Sequence, residues 1–308
     1  MKAVSVIIPN YNGEALLKKN LPGVLAALTK LKGSSELIVV DDCSTDGSVN
    51  LLKNLFPGAR IVQQEKNKGF GSACNAGVAA SIYDIVYLLN SDVSVPEDFL
   101  DKILPQFEDK TVFAAGSMEE AGETISLPVI NFKWGMFYYR YIEIKTTKET
   151  LESVFVSAGH AAYDKEKLIA VGGFKEIYNP YLWEDMDVCY RAWKHGWRSV
   201  YVRNSVVVHE KGGTIKKSQK ANRIANIHWR NRFLFIWSNF SSVYLVKHLV
   251  FLPIVLTAFL LKGKIEVLKG FFLALGKIKW ALGLNQGIPR KEDNRIIAKF
   301  KDLKYAKD

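Results

Sequence analysis

The chain has 308 residues, 48% apolar and 24% charged, a balance that excludes a disordered segment and suits one large α/β domain with an appendage. A formal net charge of +11 admits an anionic membrane surface, nucleic acid or a phosphorylated small substrate as partner, without choosing among them. Three cysteines, Cys43, Cys74 and Cys189, have no C-x-x-C spacing, which excludes a disulfide scaffold and a structural zinc site and fits a reducing compartment.

The first apolar run, Ala3 to Ile8, is stopped by Pro9 and is too short for a signal-peptide core, so it reads as the first strand of a cytosolic domain. From there to about Gly116, short β-branched runs alternate with helical segments, the pattern of βαβ units around a mostly parallel sheet. Strands are expected at Val4 to Ile8, Leu37 to Val40, Arg60 to Gln63, Ile85 to Leu89 and Val112 to Ala115. Asn12, Ser44 and Ser94 stand where helix caps belong.

Two of these strands run into acids: Leu37 to Val40 into Asp41-Asp42, and Ile85 to Leu89 into Asn90-Ser91-Asp92. Acids at the carboxyl ends of strands in an α/β sheet stand where ligands bind. At Asp42 a carboxylate can accept the imide N–H of a uracil or thymine ring, and helix capping there is better served by Ser44 and Asp46. Asp92 supplies a hard oxygen suited to Mg²⁺ or Mn²⁺ shared with substrate phosphates. Between them, Asn67-Lys68-Gly69-Phe70-Gly71 is a Gly-rich turn whose amides could approach a diphosphate or could simply close a strand-to-helix connection. It lacks the G-x-G-x-x-G spacing of a dinucleotide site.

Past Glu119, Thr124 to Val129 reads as extended, and the aromatic stretch Phe132 to Tyr139 as either core or a lid over a sugar-sized cleft. Val154 to Ala162, Ser199 to Val202 and Ser205 to Val208 read as later strands around a helix from Glu184 to His195. A third acidic run end, Tyr181-Leu182-Trp183 into Glu184-Asp185, opens that helix. Asp187 lies four residues before Arg191 and is expected to be an ion-paired acid on the surface or just behind the site, while Asp185, about 160° away around the helix, is expected to face the cleft, where a carboxylate can take a proton from a hydroxyl. His209 ends the run from Val206 and is either a further metal ligand or a histidine hydrogen-bonded in the fold.

Beyond Lys216 a basic helical segment carries Arg223, His228, Arg230, Asn231 and Arg232, and two apolar runs follow, Val243 to Leu261 and Ile265 to Leu284. Lys247, His248 and Pro253 interrupt the first, and lysines punctuate the second, which reads as interfacial helices rather than spans. A single span would export a tail holding Arg290, Lys291, Arg295, Lys299, Lys301, Lys304 and Lys307, against the positive-inside rule. The expected division is a catalytic domain over 1–235 and a membrane-associating helical region over 236–308, at the cytoplasmic face of the cell membrane. Positive charge concentrated in this apolar part favours a membrane surface over nucleic acid as partner.

Taken together, Ser5 to Gly13, Val40 to Ser48, Asn67 to Asn75, Leu89 to Asp92, Gly172-Gly173-Phe174, Glu184 to Asp187 and His209 to Gly213 resemble, in order, the motifs of family-2 glycosyltransferases with a GT-A fold, and in particular the rhamnosyltransferase-like members. The resemblance implies an inverting, metal-dependent transfer of a sugar from a UDP- or dTDP-type donor to a lipid-linked or oligosaccharide acceptor in cell-surface glycan synthesis. It implies that Pro9, Tyr11, Asp42, Asn67, Gly69, Asn90 and Ser91 line the nucleotide site, that Asp92 and His209 hold Mg²⁺ or Mn²⁺, and that Asp185 is the general base. Trp183, Glu184 and Asp187 then lie around the acceptor or support the base, with Glu184 and Asp187 as rivals for its role. Asn90 departs from the family's frequent Asp-x-Asp metal motif. A sugar-nucleotide nucleotidyltransferase is the alternative enzyme class, but Asn10-Tyr11-Asn12-Gly13 lacks its Gly-rich basic signature. A non-catalytic nucleotide- or nucleic-acid-binding module is the other alternative, against which the presence of Asp42, Asp92 and Asp185 together weighs.

Overall fold

The computed structural model describes residues 3–119, 124–209, 220–284 and 292–301. The first half runs β1 (Val4–Asn10), α1 (Glu14–Lys30), β2 (Ser35–Asp41), α2 (Ser48–Leu55), β3 (Arg60–Gln63), α3 (Phe70–Ala80) and β4 (Ile85–Leu89). After a two-residue strand β5 (Val93–Ser94) come α4 (Phe99–Ile103) and β6 (Val112–Met118). A hairpin of β7 (Thr124–Lys133) and β8 (Met136–Lys145) precedes β9 (Thr150–Ser153), β10 (His160–Asp164) and α5 (Lys165–Ala170). The chain continues through α6 (Glu184–Lys194), β11 (Arg198–Val206), β12 (Val208–His209) and α7 (Ala221–Asn239), then α8 (Ser242–Leu261), α9 (Ile265–Leu275), α10 (Ile278–Gly283) and α11 (Asp293–Lys301).

Eight strands form one twisted sheet in the order β3-β2-β1-β4-β10-β6-β11-β9. β1, β2, β3 and β4 pair in parallel, as do β6 and β11, while β10 and β9 run antiparallel to their neighbours. Alternation along β1 explains how the sheet is covered. Val4, Val6 and Ile8 face a layer with Leu17, Leu21 and Val24 of α1 and Phe99 of α4, and Ile7 faces the opposite layer with Ala73 and Val78 of α3. Both faces are therefore buried, as a sheet with helices on each side requires.

Strand placement differs from expectation where periodicity is silent. The run from Val154 to Ala162 is not one strand, because Val154 to Gly159 form a buried connection that separates the edge strand β9 from the central strand β10. β6 continues past Ala115 to Met118, and the two runs around residue 200 merge into β11. The cap residues also work differently, since Asn12 and Ser44 bind each other's loops rather than their own helices. The amide of Glu14 donates to Asp46, that of Gly47 donates to Glu14 and that of Ser48 to Asp46, so two acids close the N-termini of α1 and α2 reciprocally. α4 has no side-chain cap, and Ser94 lies in β5.

The aromatic stretch is the turn of the β7–β8 hairpin. Phe137 is fully buried against Trp183, Tyr190 and Phe235, whereas Trp134 at the tip is 59% exposed. His248 of α8 fastens that tip: its Nδ1 donates to the Gly135 carbonyl at 2.6 Å while its Nε2 accepts from Trp237 Nε1 at 3.1 Å. α7 runs through residue 235, so the boundary expected there falls inside a helix. α11 packs back on α6, with Phe300 edge-on to Trp193 and Asp293 reaching Lys194 at 2.9 Å.

Candidate active site

Because β1 lies between β2 and β4, the chain leaves β1 toward one side of the sheet and returns on the other, which opens a crevice at the carboxyl ends of these strands. Pro9 lies near the end of β1, and Tyr11, Asp42, Asn90, Ser91 and Asp92 stand on the loops that follow β1, β2 and β4, with Tyr11 48% exposed. Asp41 and Asp42 divide the work. Asp41 is structural, accepting from Asn10 and from the amide of Ser44. Asp42 is almost fully buried, and its two oxygens accept the amides of Lys68 and Gly69 at 2.8 Å each. Burial raises its pKa and these two amides pull it back down. Each oxygen keeps a further lone pair for a ligand.

The Gly-rich turn is thereby corrected: the amides of Lys68 and Gly69 are committed to Asp42, and that of Phe70 to the Pro180 carbonyl, rather than open toward a diphosphate. Gly69 adopts φ 90°, and a Cβ on it would stand 2.9 Å from the Pro180 backbone, so this position admits only glycine. Asn67, just before, is exposed. Asn75, at the far end of the motif, binds both the amide and the carbonyl of Phe174, which accounts for the Gly172-Gly173-Phe174 motif as a packing device.

The pairing of β5 with β12 brings His209 opposite Val93 and so beside Asp92. His209 Nε2 lies 3.3 Å from Asp92 Oδ1, and its Nδ1 lies 3.2 Å from Glu119 Oε1. Asp92 and Glu119 together push the imidazole up to about 10, and His160 and His209 hold Glu119 well below the usual carboxylate range. The charged imidazole bridges the two carboxylates; on losing its Nε2 proton, that nitrogen and the neighbouring Asp92 oxygen would together suit a divalent cation shared with phosphate oxygens and water. Among the described residues no three His, Cys, Asp or Glu side chains form a cage by themselves. Asn90 is tucked under Gly159, where any Cβ would strike its amide. Glu210 to Gly213 lie outside the described residues.

Sequence reasoning missed Glu119 and His160. Had β6 been followed to Met118, Glu119 would have stood out as another acid ending a buried strand. His160, at the start of β10, is buried and binds Glu119 at 3.2 Å. Burial raises the pKa of Asp185 and His160 offsets a part of that rise, which links the Asp92–His209 pair electrostatically to the start of α6.

At that start the three acids separate by environment. Asp187 is saturated: it accepts from Tyr178 and Asn239 on one oxygen and from Arg191 Nε and Nη2, at 2.8 and 2.6 Å, on the other. The ion pair is deeply buried rather than on the surface, and it removes Asp187 as a rival base. Glu184 is 9% exposed, its Oε2 has no hydrogen-bond partner among the described residues, and burial with the adjacent Asp185 raises its pKa strongly. Asp185 is half-buried, accepts from the amide of Met186 at 2.7 Å, and burial likewise raises its pKa. Trp183 is buried against Tyr139, Phe137 and Phe235, and its Nε1 donates to His228 Nδ1 at 3.3 Å. Burial and Arg232 hold His228 down at about 4, so it stays neutral and can accept that bond.

This sheet, with a crevice at the carboxyl ends of its parallel strands, is a mostly parallel α/β scaffold. Residues 5–172 match the family model described as glycosyl transferase family 2, more than half of the chain, and the chain belongs to that family. Its relatives include the undecaprenyl-phosphate 4-deoxy-4-formamido-L-arabinose transferase of Aeromonas hydrophila subsp. hydrophila, 34% identical over 108 residues. That match covers 34% of this chain and 33% of the relative, so the chain spans about a third of that protein's length. The O-antigen chain rhamnosyltransferase WbaN of Salmonella anatum is 26% identical over 216 residues, 68% of this chain and 66% of the relative. Among solved structures, GalNAc-T7 with UDP, GalNAc and Mn²⁺ superposes with a TM-score of 0.62 at 16% identity, over 79% of this chain and 49% of that one. At that identity the likeness establishes the fold, which is the GT-A arrangement.

Proposed function

We propose that this chain is an inverting glycosyltransferase that moves a hexosyl or deoxyhexosyl group from a UDP- or dTDP-sugar to a lipid-linked or oligosaccharide acceptor, at the cytoplasmic face of the cell membrane, in cell-surface glycan synthesis. The observation that carries the reading is the order of acids at the ends of β2 and β4 and at the start of α6: Asp42 held by the Lys68 and Gly69 amides, Asp92 paired with His209, and the half-buried Asp185. Relatives that act on undecaprenyl phosphate and on O-antigen chains, and a structural neighbour bound to UDP and Mn²⁺, support the same reading.

In this reading Asp42 accepts the imide N–H of the base, and Pro9 and Tyr11 flank the ring. Asp92 and His209 would hold Mg²⁺ or Mn²⁺, which supplies charge stabilisation for the departing diphosphate. The Asp185 carboxylate takes the proton of the acceptor hydroxyl as that oxygen bonds to the anomeric carbon, and the bond from that carbon to the diphosphate oxygen breaks on the opposite face. One sugar–oxygen bond forms, one breaks, and the anomeric centre inverts.

The membrane assignment rests on the outer face of α8, where Val243, Val246, Leu249, Val250 and Ile254 are exposed. α8 is long and apolar enough to cross a bilayer, about 30 Å at 1.5 Å per residue. Its inner face, however, is docked on the hairpin through His248. A helix bound along a polar domain favours lying in the interface over spanning.

The test is a nucleotide-sugar panel with Mg²⁺ or Mn²⁺, followed by Asp92→Ala and Asp185→Asn. Each variant is expected to stay folded; Asp185→Asn should lose transfer by about 10² to 10⁴-fold, the order of magnitude of a lost acid–base group, and Asp92→Ala should abolish it by removing the charge stabilisation of the departing diphosphate. Near-normal turnover in either sinks the assignment.

A further inference from the structure

Leu182 and Trp183 precede Glu184 and Asp185 with φ of 72° and 78°, two bulky side chains in succession in the left-handed region. Such backbone persists only where its surroundings hold it. The holding groups come from α7, about fifty residues later in the chain. Asn231, fully buried, turns its Nδ2 to three carbonyls, those of Tyr178 at 2.9 Å, Tyr181 at 3.0 Å and Leu182 at 2.7 Å. Its two N–H groups are thus shared among three acceptors of one loop. Arg230 completes the grip, with Nη2 on the carbonyls of Tyr178 and Asn179. Arg230 Nε also donates to Asn231 Oδ1 at 2.8 Å, which fixes the amide with its donor side toward the loop.

We propose that Asn231, oriented by Arg230, is a positioning residue: it clamps the 178–183 loop in its left-handed turn and so sets the direction in which α6 begins and its Glu184-Asp185 carboxylates project. Neither residue touches the crevice acids directly. The inference rests on the proposed role of Asp185, but the clamp itself is observable without catalysis.

Asn231→Asp is the decisive variant, because it keeps the shape and replaces the donor by an acceptor facing three carbonyls. In hydrogen exchange on the full chain, amides from 178 to 187 should lose protection while those of β1, β2 and β4 keep theirs. The kcat should fall by about 100-fold, the scale of an ångström-sized misplacement of a reacting group, and UDP affinity by a much smaller factor, since Pro180 of the same loop holds the Phe70 amide beside the Asp42 turn. Adding Leu182→Gly, which makes the left-handed turn intrinsically allowed, should recover part of the lost kcat. Where Asn231→Asp does not accumulate folded, Arg230→Gln at its half-buried position carries the same expectation. Unchanged exchange in the loop overturns the clamp, and so does a loss of UDP affinity parallel to that of kcat, which would mark general damage. A wild-type chain that transfers no sugar refutes the enzyme assignment and leaves the exchange measurement to decide the clamp.

Discussion

Glu184 and Asp185 are neighbours in sequence that burial and partners separate. With Asp185 in the proposed role, its raised pKa predicts that kcat/KM falls as pH drops through about 6, because the base must be ionised to accept a proton. A pH–rate profile checks this, and a rate that stays flat down to pH 4.5 removes Asp185 as the base. Glu184 bears the opposite signature for stability. Its folded pKa is pushed from 4.5 up to about 8, so across that range the folded chain binds more protons than the unfolded chain and stability declines as pH rises. Glu184→Gln should therefore melt higher than wild type at pH 8, by about 1–3 kcal/mol, with the advantage shrinking toward pH 5. An advantage independent of pH would trace it to packing instead. At this scale, what was legible in sequence was whatever is local. Asp42 and Asp92 announced themselves by following buried strands, and Asp187 by its four-residue spacing to Arg191. Glu119, His160 and Asn231 enter the site by strand order and helix docking, which residue spacing does not encode.

Among the elements, α7 joins the most functions. It holds the loop before α6, carries Arg232 against the hairpin strand at Phe137 and Tyr138, and receives α9 at Gly270, where a Cβ would lie 2.4 Å from Trp229 Cβ and 2.8 Å from the amide of Arg230. Only glycine allows that approach. Gly270→Ala should destabilise by about 1–3 kcal/mol through overpacking, and because the strain falls on Arg230 it should lower kcat more than UDP affinity. Equal melting and equal kcat would show that the helices separate without consequence. The parallel strands β1 to β4 were readable because each is a short apolar run bounded by turn residues. The hairpin and the split of β9 from β10 were not, since aromatic and small residues in the middle of the chain fit core, edge and connection alike.

For the whole molecule, the exposed apolar face of α8 continues through Phe272 and Leu273 of α9 to Trp280 and Leu282 of α10, and Trp134 stands edge-on to Phe251 beside it. Exposed Lys133, Lys247, Lys262, Lys264, Lys269 and Lys279 surround these residues. The full chain should float with vesicles containing anionic lipid, less so with neutral ones, and salt should weaken the preference. Quantitative recovery in the detergent-free soluble fraction would contradict a membrane role. Arg290, Lys291, Lys304 and Lys307, part of the basic tail expected from sequence, lie outside the described residues. Asp293 at the start of α11 meets the buried ammonium of Lys194, the hydroxyl of Tyr190 and the amide of Ser241. An expression variant cut after residue 245 would thus shed that counterion with the greasy helices, leave Lys194 facing the neutral Asn239 carbonyl and strand its charge inside the α/β part, a loss of about 3–5 kcal/mol. Such a fragment should aggregate, whereas the whole chain with Val246, Leu249 and Val250 changed to glutamine should remain folded and dissolve more readily. The route to a tractable soluble enzyme runs through recolouring the surface of α8, not through deletion.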